Sequence, residues 1–427
     1  YLGANDGMLH AFDSATGAER WAYVPSMAIP NMWKLASSDY YVDDHHVNYV
    51  NGSPIITDVC SNPCTGEADW RTILVAGLGG GGRGYFALDI TVPASPKLLW
   101  EFTTTAGIGK TKDDDLGYSY GQPVITRKTN TDGSHSWVVL VTSGYNNVSP
   151  GDGGGHLFVL DALAGTMLSK ISTGAGSTSD PSGLAKIATY NTSPPGNDAG
   201  YTYGGDLHGN LWRFDINAVT TAAVGNGAVM KFAELYSDTE GTQAQPITTT
   251  PVLGKVSGKR VIFIGTGLYL QKSDVSDAIN QQSQYALQDN NLATTWKNPR
   301  NSLVARTLTT NVTAGTRSVA AAAISADFTK GWYVDWPPTG TKERVNLDAQ
   351  LLQGVLLVPT IVPSESACSP GGTGWLNFFD YRTGGEISTT HIASIKFDAV
   401  IVGISPIFVG GAGIIVRDAK GGEVKPD

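Results

Sequence analysis

Apolar and polar residues alternate in short segments along this chain, and one seven-residue pattern recurs several times. Each copy has apolar residues at its third and sixth positions and an aspartate at its seventh. The five clear copies are GMLHAFD (7–13), RGYFALD (83–89), GHLFVLD (155–161), GNLWRFD (209–215) and GWLNFFD (374–380). Alternation over this length, followed by polar residues, predicts a half-buried β-strand in each copy.

The aspartate that ends each copy is predicted to close a turn. The five repeat residues are Asp13, Asp89, Asp161, Asp215 and Asp380. After three of them the chain continues as ATG (15–17), LAG (163–165) and RTG (382–384). Asp accepts hydrogen bonds from nearby backbone N–H groups, and Gly supplies the positive φ of a tight hairpin turn.

Other recurring segments predict the remaining strands of the repeat. A segment with proline at its second position occurs as SPIITDV (53–59), QPVITRK (122–128), TPVLGKV (250–256) and SPIFVGG (405–411). Continuous apolar runs, which are typical of strands covered on both faces, occur as RTILVAGLG (71–79), SWVVLVTSG (136–144) and KRVIFIGTG (259–267). ERWAYV (19–24) and KLLWEF (97–102) provide a fourth strand.

A repeated unit of four antiparallel strands predicts a β-propeller. One such sheet cannot bury both of its faces, whereas sheets stacked radially cover one another. Two weaker copies of the aspartate pattern, SQYALQD (283–289) and GWYVDWP (331–337), each count as one more blade. We therefore predict that residues 1–427 form a single all-β domain, a propeller of about seven four-stranded blades. Only SVAAAAISADF (318–328) has helix-like composition.

Composition excludes several partners. The formal net charge is −9 and no Lys/Arg cluster compensates it, so the chain offers no basic surface to a nucleic acid. No apolar run approaches the ~18 residues that a membrane span requires. The chain begins at Tyr1, inside a predicted strand and without an initiator methionine, so we expect a fragment of a longer protein.

Three cysteines are present. Cys60 and Cys64 lie close together in one polar loop, and Cys368 stands alone. The close pair is compatible with a small loop disulfide, with half of a zinc site or with two free thiols. No second cysteine pair or histidine pair accompanies it, which disfavours zinc, and a disulfide requires an exported protein.

Two segments match enzyme motifs, and both lack the structural context that the motifs need. Gly77 to Gly82 fits the G-x-G-x-x-G nucleotide fingerprint, and Gly117 to Gly121, around Ser119, fits the G-x-S-x-G nucleophile motif. Each motif requires a helix after it, and each is followed here by a predicted strand. We therefore predict no catalytic residue and no nucleotide cofactor.

The histidines and acidic residues show no metal-ligand spacing. His10, His156 and His208 fall in or beside the repeated strands, where we expect them on the solvent face. Asp113, Asp114 and Asp115 are consecutive, so their side chains point in different directions and predict a solvated loop. The sequence therefore predicts no metal site.

Seven longer segments are more specific than the repeat. They are GANDGMLHAFDSATG (3–17), HHVNYVNGSPIITDV (45–59), GLGGGGRGYFALDIT (77–91), LGYSYGQPVI (116–125), YGGDLHGNLWRFDI (203–216), FIGTGLYL (263–270) and CSPGGTGW (368–375). In this order they resemble the C-terminal domain of the PilY/PilC family of type IV pilus tip adhesins and biogenesis factors.

The resemblance implies a non-enzymatic, exported module at the bacterial cell surface, at the pilus tip or on the outer membrane. It implies minor pilins as partners, a role in setting pilus extension against retraction, and adhesion to host or abiotic surfaces. A variable N-terminal adhesive region normally precedes this domain and is not part of this sequence.

The family resemblance also raises the question of calcium. In well-known members a carboxylate-rich calcium loop lies just before the segment that matches Tyr203 to Asp206. The corresponding stretch here is Tyr190 to Gly200, in which Gly200 replaces the closing aspartate and Asp198 is the single carboxylate. We therefore expect a degenerate loop, with no cofactor and no bound metal.

Two other functions fit the repeat. G-x-L-x-A-h-D-x-x-T-G is also the repeat of dehydrogenases that bind pyrroloquinoline quinone, of which this would be a degenerate form. Those enzymes generally carry adjacent cysteines beneath the cofactor, and this chain has no adjacent pair. An outer-membrane assembly scaffold of similar propeller type is the other alternative.

Overall fold

The computed structural model describes most of the chain. The described residues are 1–40, 46–193, 196–218, 228–276, 281–291, 293–319, 330–337, 342–364, 371–387, 391–408, 412–419 and 423–424. The predicted helix-like segment 318–328 and Cys368 lie largely or wholly outside them. The chain divides into two compact units, Tyr1–Gly204 with Trp212–Met230, and Gly205–Leu211 with Lys231–Asp427.

The first unit is built mainly from antiparallel strands that follow one another along the chain. Its first twelve strands are β1 (Leu2–Gly3), β2 (Leu9–Phe12), β3 (Glu19–Tyr23), β4 (Ile55–Cys60), β5 (Trp70–Gly77), β6 (Gly84–Asp89), β7 (Lys97–Thr103), β8 (Lys110–Lys112), β9 (Val124–Thr129), β10 (His135–Thr142), β11 (His156–Asp161) and β12 (Met167–Ser172). They lie in the orders β1-β2-β3, β4-β5-β6-β7-β8 and β12-β11-β10-β9. Three short 3₁₀ helices, Ile29–Ala36, Glu67–Asp69 and Gly79–Gly81, lie in the connections.

Four further strands form the next antiparallel group. They are β13 (Ile187–Ser193), β14 (Asp198–Gly205), β15 (Asn210–Asp215) and β16 (Val229–Glu234), with β13 beside β14 and the order β14-β15-β16. A single parallel pairing, between Asp198 and Arg127, connects β14 to β9.

The second unit contains sheets of five, six and three strands. Its strands are β17 (Val252–Val256), β18 (Lys259–Gly265), β19 (Ser283–Asp289), β20 (Trp296–Lys297), β21 (Val304–Arg306), β22 (Leu308–Asn311), β23 (Thr316–Val319), β24 (Gly331–Asp335), β25 (Gln350–Leu352), β26 (Val355–Val362), β27 (Thr373–Asp380), β28 (Ser394–Phe397), β29 (Ile401–Phe408), β30 (Ala412–Asp418) and β31 (Glu423–Val424). The orders are β17-β18-β19-β24-β21, β22-β23-β28-β27-β26-β25 and β29-β30-β31. One helical turn, α1 (Ser273–Ser276), and a 3₁₀ turn, Pro299–Asn301, complete it.

The five clear copies of the repeat form strands as predicted. They correspond to β2, β6, β11, β15 and β27, and in the sheets of β6, β11 and β27 the strand lies between two antiparallel neighbours. The expectation that the two weaker copies mark separate blades is wrong. They form β19 and β24, which pair with each other in one sheet, with Tyr285 opposite Tyr333. Both segments suit any central strand, so their patterns could not show that they are neighbours.

All five repeat aspartates make the same turn. In each, the side-chain carboxylate accepts a backbone N–H from the residue two positions on, at 2.9–3.1 Å, as from Ala15 to Asp13 and from Arg382 to Asp380. In the three turns with glycine, Gly17, Gly165 and Gly384 have φ near +70° and donate their N–H to the aspartate's own carbonyl. The repeat is therefore conserved along the chain as a strand ending in an Asp turn.

Three tryptophans connect consecutive sheets through these turns. Trp100 of β7 donates its indole N–H to the Ala162 carbonyl at 3.0 Å, and Trp332 of β24 donates to the Tyr381 carbonyl at 3.2 Å. Trp21 of β3 donates to the Pro93 carbonyl at 2.7 Å. In each case the acceptor lies in the turn after the next repeat aspartate, so every such contact fixes one sheet against its successor.

Each unit has its own apolar core between neighbouring sheets. In the first unit, fully buried Tyr85 and Phe102 pack with Phe158, whose ring centre lies 5.0 Å from that of Phe102. In the second unit, Trp332 packs against Phe379 at 5.8 Å. The sheets therefore bury their faces against one another, as the repeat predicts.

Candidate functional site

Ser119, the centre of the predicted nucleophile motif, is a buried structural residue. Its Oγ accepts the Leu78 N–H at 2.9 Å and lies 2.8 Å from the Gly84 carbonyl, to which it donates. The side chain is thus fully engaged with the glycine-rich connection between β5 and β6. No histidine contacts it among the described residues, so this geometry offers no activated nucleophile.

The glycine-rich segment Gly77 to Gly82 serves close packing. It forms a 3₁₀ turn that leads into strand β6, so no helix N-terminus faces a phosphate site there. A Cβ at position 81 would lie 1.8 Å from the Tyr49 carbonyl oxygen, and one at position 77 would lie 2.7 Å from the Ser119 carbonyl oxygen. Side chains are excluded here because two backbone segments approach each other.

Cys60 and Cys64 form a disulfide that closes the loop after β4, with their Cα atoms 5.6 Å apart. Of the three states left open for this pair by the sequence, a disulfide, half of a zinc site or two free thiols, the structure has the disulfide. The loop it closes precedes β5 and is largely exposed.

In the stretch Tyr190 to Gly200, of which the structure describes residues 190–193 and 196–200, β13 and β14 pair as a hairpin and two side-chain oxygens are already bonded. Asp198, its single carboxylate, lies 2.7 Å from the Arg127 guanidinium and 3.3 Å from His135 Nδ1. Asn191 donates its side-chain N–H to Asn197 Oδ1 at 2.9 Å. Calcium requires six to eight oxygens, several of them from carboxylates. The described residues of this hairpin do not fit that ion.

A charged cluster lies at one end of β11 and β12 in the first unit. Lys170 Nζ lies 2.8 Å from Asp113 Oδ1 and 2.5 Å from Asp115 Oδ2. His156 Nε2 lies 3.0 Å from Asp152 Oδ1 and 3.7 Å from Asp115 Oδ2. The cluster thus connects the loops that contain Asp115 and Asp152 to strands β11 and β12, although these segments are far apart in the sequence.

Two expectations are wrong in this cluster. His156 was expected on a solvent face, yet only 5% of its side chain is exposed, because β11 is covered on both faces. Asp113 and Asp115 were expected in a solvated loop, yet their side chains are 11% and 18% exposed and pair with Lys170. Only Asp114 behaves as predicted, since it is exposed beside Lys112.

The cluster shifts the pKa values of two of its members. Partial burial favours the neutral acid at Asp152, but hydrogen bonds from His156 and from the Gly154 N–H outweigh it and lower the pKa. Burial favours the neutral amine at Lys170, but Asp113 and Asp115 outweigh it and raise the pKa. Both groups are therefore held in their charged forms.

Asp115, Asp152 and His156 each bring one ligand atom within 4.8 Å of the others, a spacing that a metal ion could use. The Lys170 ammonium already binds Asp115, however, and would repel a cation. His156 Nδ1 also lacks a hydrogen-bond partner among the described residues, whereas a metal-bound histidine generally donates that N–H to an outer partner. The residues fit a structural charge cluster better than a metal centre.

A cavity of about 270 Å³ lies in the second unit. Its lining residues are Gln288, Asn290, Thr294, Thr295, Trp296 and Lys330. No sequence motif marks it, because these residues come from the end of β19, the loop after it, the start of β20 and the residue before β24. The amide-rich end of β19 and a tryptophan seven residues later could not be recognised as one site from spacing alone.

These observations define a β-propeller protein in which the described residues form no catalytic centre. The chain belongs to the PilY1 family, since the model of the PilY1 beta-propeller domain matches residues 1–316. The curated relatives in that family are named type IV pilus biogenesis factors.

Two curated relatives carry the same description. The type IV pilus biogenesis factor PilY1 of Pseudomonas aeruginosa PAO1 is 32% identical over 91% of this chain and 35% of its own length. A PilY1 homolog of Xylella fastidiosa Temecula1 is 31% identical over 90% of this chain and 26% of its own length. The chain therefore spans between a quarter and about a third of the length of these relatives.

A solved structure has the same fold. The crystal structure of the Pseudomonas aeruginosa PilY1 C-terminal domain superposes with a TM-score of 0.73 at 26% identity, covering 100% of this chain and 92% of that one. The β-propeller fold and the family resemblance predicted from the sequence are confirmed.

Proposed function

We propose that this chain is a non-enzymatic propeller module of a type IV pilus tip protein, which supports pilus biogenesis by binding minor pilins. The observation that carries the proposal is the likeness over the full chain to the PilY1 C-terminal domain, together with relatives named as pilus biogenesis factors. In this role the module sets pilus extension against retraction and contributes to adhesion to host or abiotic surfaces.

Export to the bacterial cell surface, at the pilus tip or the outer membrane, is part of the proposal. The Cys60–Cys64 disulfide supports it, because disulfides persist in oxidising compartments and are rare in the bacterial cytoplasm. Among the described residues, no helix is long and apolar enough to cross a membrane.

We also propose that residues 1–427 form one propeller domain of about seven blades. The support is the series of strand groups in chain order, which begins with β1–β3, β4–β8, β9–β12 and β13–β16. Three more groups in the second unit complete it. Cooperative unfolding in one calorimetric transition is expected, and two well-separated transitions would contradict the single domain.

Binding of minor pilins tests the proposed partner. The purified chain, immobilised through its C-terminus, is expected to retain purified minor pilins and not the major pilin, which serves as the control. Loss of selectivity between the two would overturn the proposal. An absorbance spectrum recorded after incubation with pyrroloquinoline quinone and removal of the unbound quinone tests the quinoprotein alternative. A retained quinone absorbance would favour a quinoprotein dehydrogenase over a pilus module.

A cellular experiment separates extension from retraction. In the source bacterium, the gene for the protein that contains this chain is deleted with and without its retraction motor, and surface pili are counted. If the protein opposes retraction, pili return when the motor is also absent. If the protein is needed for extension, surface pili remain absent in the double deletion. Normal piliation in the single deletion would contradict both roles.

A further inference from the structure

The cavity in the second unit has walls of two chemical kinds. Its lining residues are the half-buried Trp296, which offers an aromatic surface, and five polar residues: Gln288, Asn290, Thr294, Thr295 and Lys330. None of the lining residues is a carboxylate. At about 270 Å³ the cavity lies just below the range, roughly 300–1,000 Å³, that binds drug-sized molecules.

The polar wall is held in place by the sheet. Gln288 is 1% exposed and lies in β19, and its backbone N–H donates to the Lys330 carbonyl at 3.0 Å. Its side-chain N–H donates to Asn290 Oδ1 at 2.6 Å. Two amides and the base of the lysine are therefore fixed relative to one another before any ligand arrives.

The aromatic wall is fixed as well. Trp296 lies in β20, opposite Ala233, and donates its indole N–H to Ser302 Oγ at 3.3 Å. Phe232 packs against it at right angles, with ring centres 6.4 Å apart. The indole N–H is thus used within the protein, and the ring contributes an apolar surface to the cavity.

The charge of the cavity differs from that of the whole chain. The chain has a formal net charge of −9, yet the only charged lining residue is Lys330, which forms no ion pair within the part of the chain that the structure describes. A cationic, carboxylate-free site on an acidic protein favours an anionic ligand.

We propose that this cavity binds one acidic sugar residue, a sialic or uronic acid, at the end of a surface glycan. The apolar C–H face of the sugar lies on Trp296, the Thr294 and Thr295 hydroxyls hydrogen-bond its hydroxyl groups, and Lys330 pairs with its carboxylate. The inference deepens the proposed adhesion, on which it rests, by naming the chemistry of the surface contacted.

The test is calorimetric titration of the purified chain with the methyl glycosides of N-acetylneuraminic acid and glucuronic acid, and with neutral methyl glucoside. The acidic sugars are expected to bind with dissociation constants of about 1 mM, as suits a single sugar residue, and at least about tenfold more tightly than the neutral one. Equal binding of all three, or binding of none, overturns the proposal.

Variants place the binding in the cavity. Trp296→Ala is expected to abolish it and Trp296→Phe to retain it, which distinguishes a lost wall from a lost fold. Lys330→Gln should weaken the binding of the acidic sugars about tenfold and leave the binding of the neutral sugar unchanged, so that the preference for acidic sugars is lost. Matched controls outside the cavity are the exposed Trp33→Ala and Lys259→Gln, which should bind like the parent.

Binding that survives Trp296→Ala, in a variant with the parent's circular dichroism spectrum, would also overturn the proposal. No pilin is present in these titrations, so a failure to bind sugar leaves the minor-pilin result standing. Conversely, loss of pilin binding leaves the sugar titration standing, and the two proposals can fail separately.

Discussion

Gly165 lies directly beneath the indole of Trp100: a Cβ at position 165 would come within 2.3 Å of Trp100 Cγ. The same relationship holds in the second unit, where a Cβ at Gly384 would lie 2.5 Å from Trp332 Cδ2. Gly165 and Gly384 are therefore required for two reasons: each has a positive φ, and each leaves the space that the tryptophan needs, whereas the Cβ position of Gly17 is open.

Gly165→Ala is expected to destabilise the protein more than a change at an equally left-handed but open glycine. Gly174 is the matched control. Its φ of +72° is close to the +68° of Gly165, and no atom lies within 4 Å of the Cβ position of Gly174. Gly174→Ala should cost about 1–2 kcal/mol for its backbone alone. Gly165→Ala should cost about 1–3 kcal/mol more for overpacking, measured by chemical denaturation. Equal costs would contradict the steric role.

Lys170→Met should destabilise the first unit by about 1–3 kcal/mol, because it leaves Asp113 and Asp115 partly buried without their cation. The control is Lys112→Met, whose partner Asp114 is about half exposed, as is Lys112 itself. Exposed pairs contribute little, so this change should cost under about 1 kcal/mol. Both free-energy changes are measured by chemical denaturation. Equal stability of the two variants would contradict a stabilising role for the charged cluster.

His10 should make stability depend on pH near neutrality. Its hydrogen bond to Glu19 is the main cause of a pKa raised above the ordinary 6.5, and Asp6 adds to it. The stabilisation is fully present below about pH 6.5 and is lost as the pH rises through the folded pKa. His10→Gln should therefore lower Tm more at about pH 5.5 than at about pH 8.5. An NMR titration midpoint for His10 at or below 6.5 would refute this.

Calcium should bind the Tyr190 to Gly200 hairpin no better than millimolar, since Asp198 already pairs with Arg127. Calorimetric titration of the chelator-treated chain should give no micromolar isotherm. The carboxylate set of a calcium loop is missing, and one charge neutralises a divalent ion poorly. A micromolar isotherm that Asp198→Ala abolishes, and that Asp132→Ala at another hairpin turn leaves unchanged, would show that the hairpin is a calcium site.

The sequence predicts what is local in this fold. The strand of each clear repeat and the turn at Asp13 or Asp380 depend on residues within a few positions, so alternation and turn chemistry identify them. The sheet shared by β19 and β24 could not be predicted, because strand pairing across more than forty residues depends on packing that periodicity does not encode.

The functional residues show the same limit. His156 and Lys170 meet Asp113, Asp115 and Asp152 only after two loops fold against β11 and β12. The burial of His156 follows from covering both faces of β11, which an alternating pattern does not reveal. The sugar-sized cavity likewise joins Gln288 to Lys330 through a sheet contact.

The oxidation state of Cys60 and Cys64 also shows whether a given molecule has reached an oxidising compartment. A chain kept in a reducing environment presents three thiols to an alkylating reagent after denaturation, and one with this bond intact presents two fewer. Alkylation with a maleimide-linked polymer turns that difference into a gel shift. The fraction of the protein that has left the cytoplasm can then be read from whole cells without fractionation.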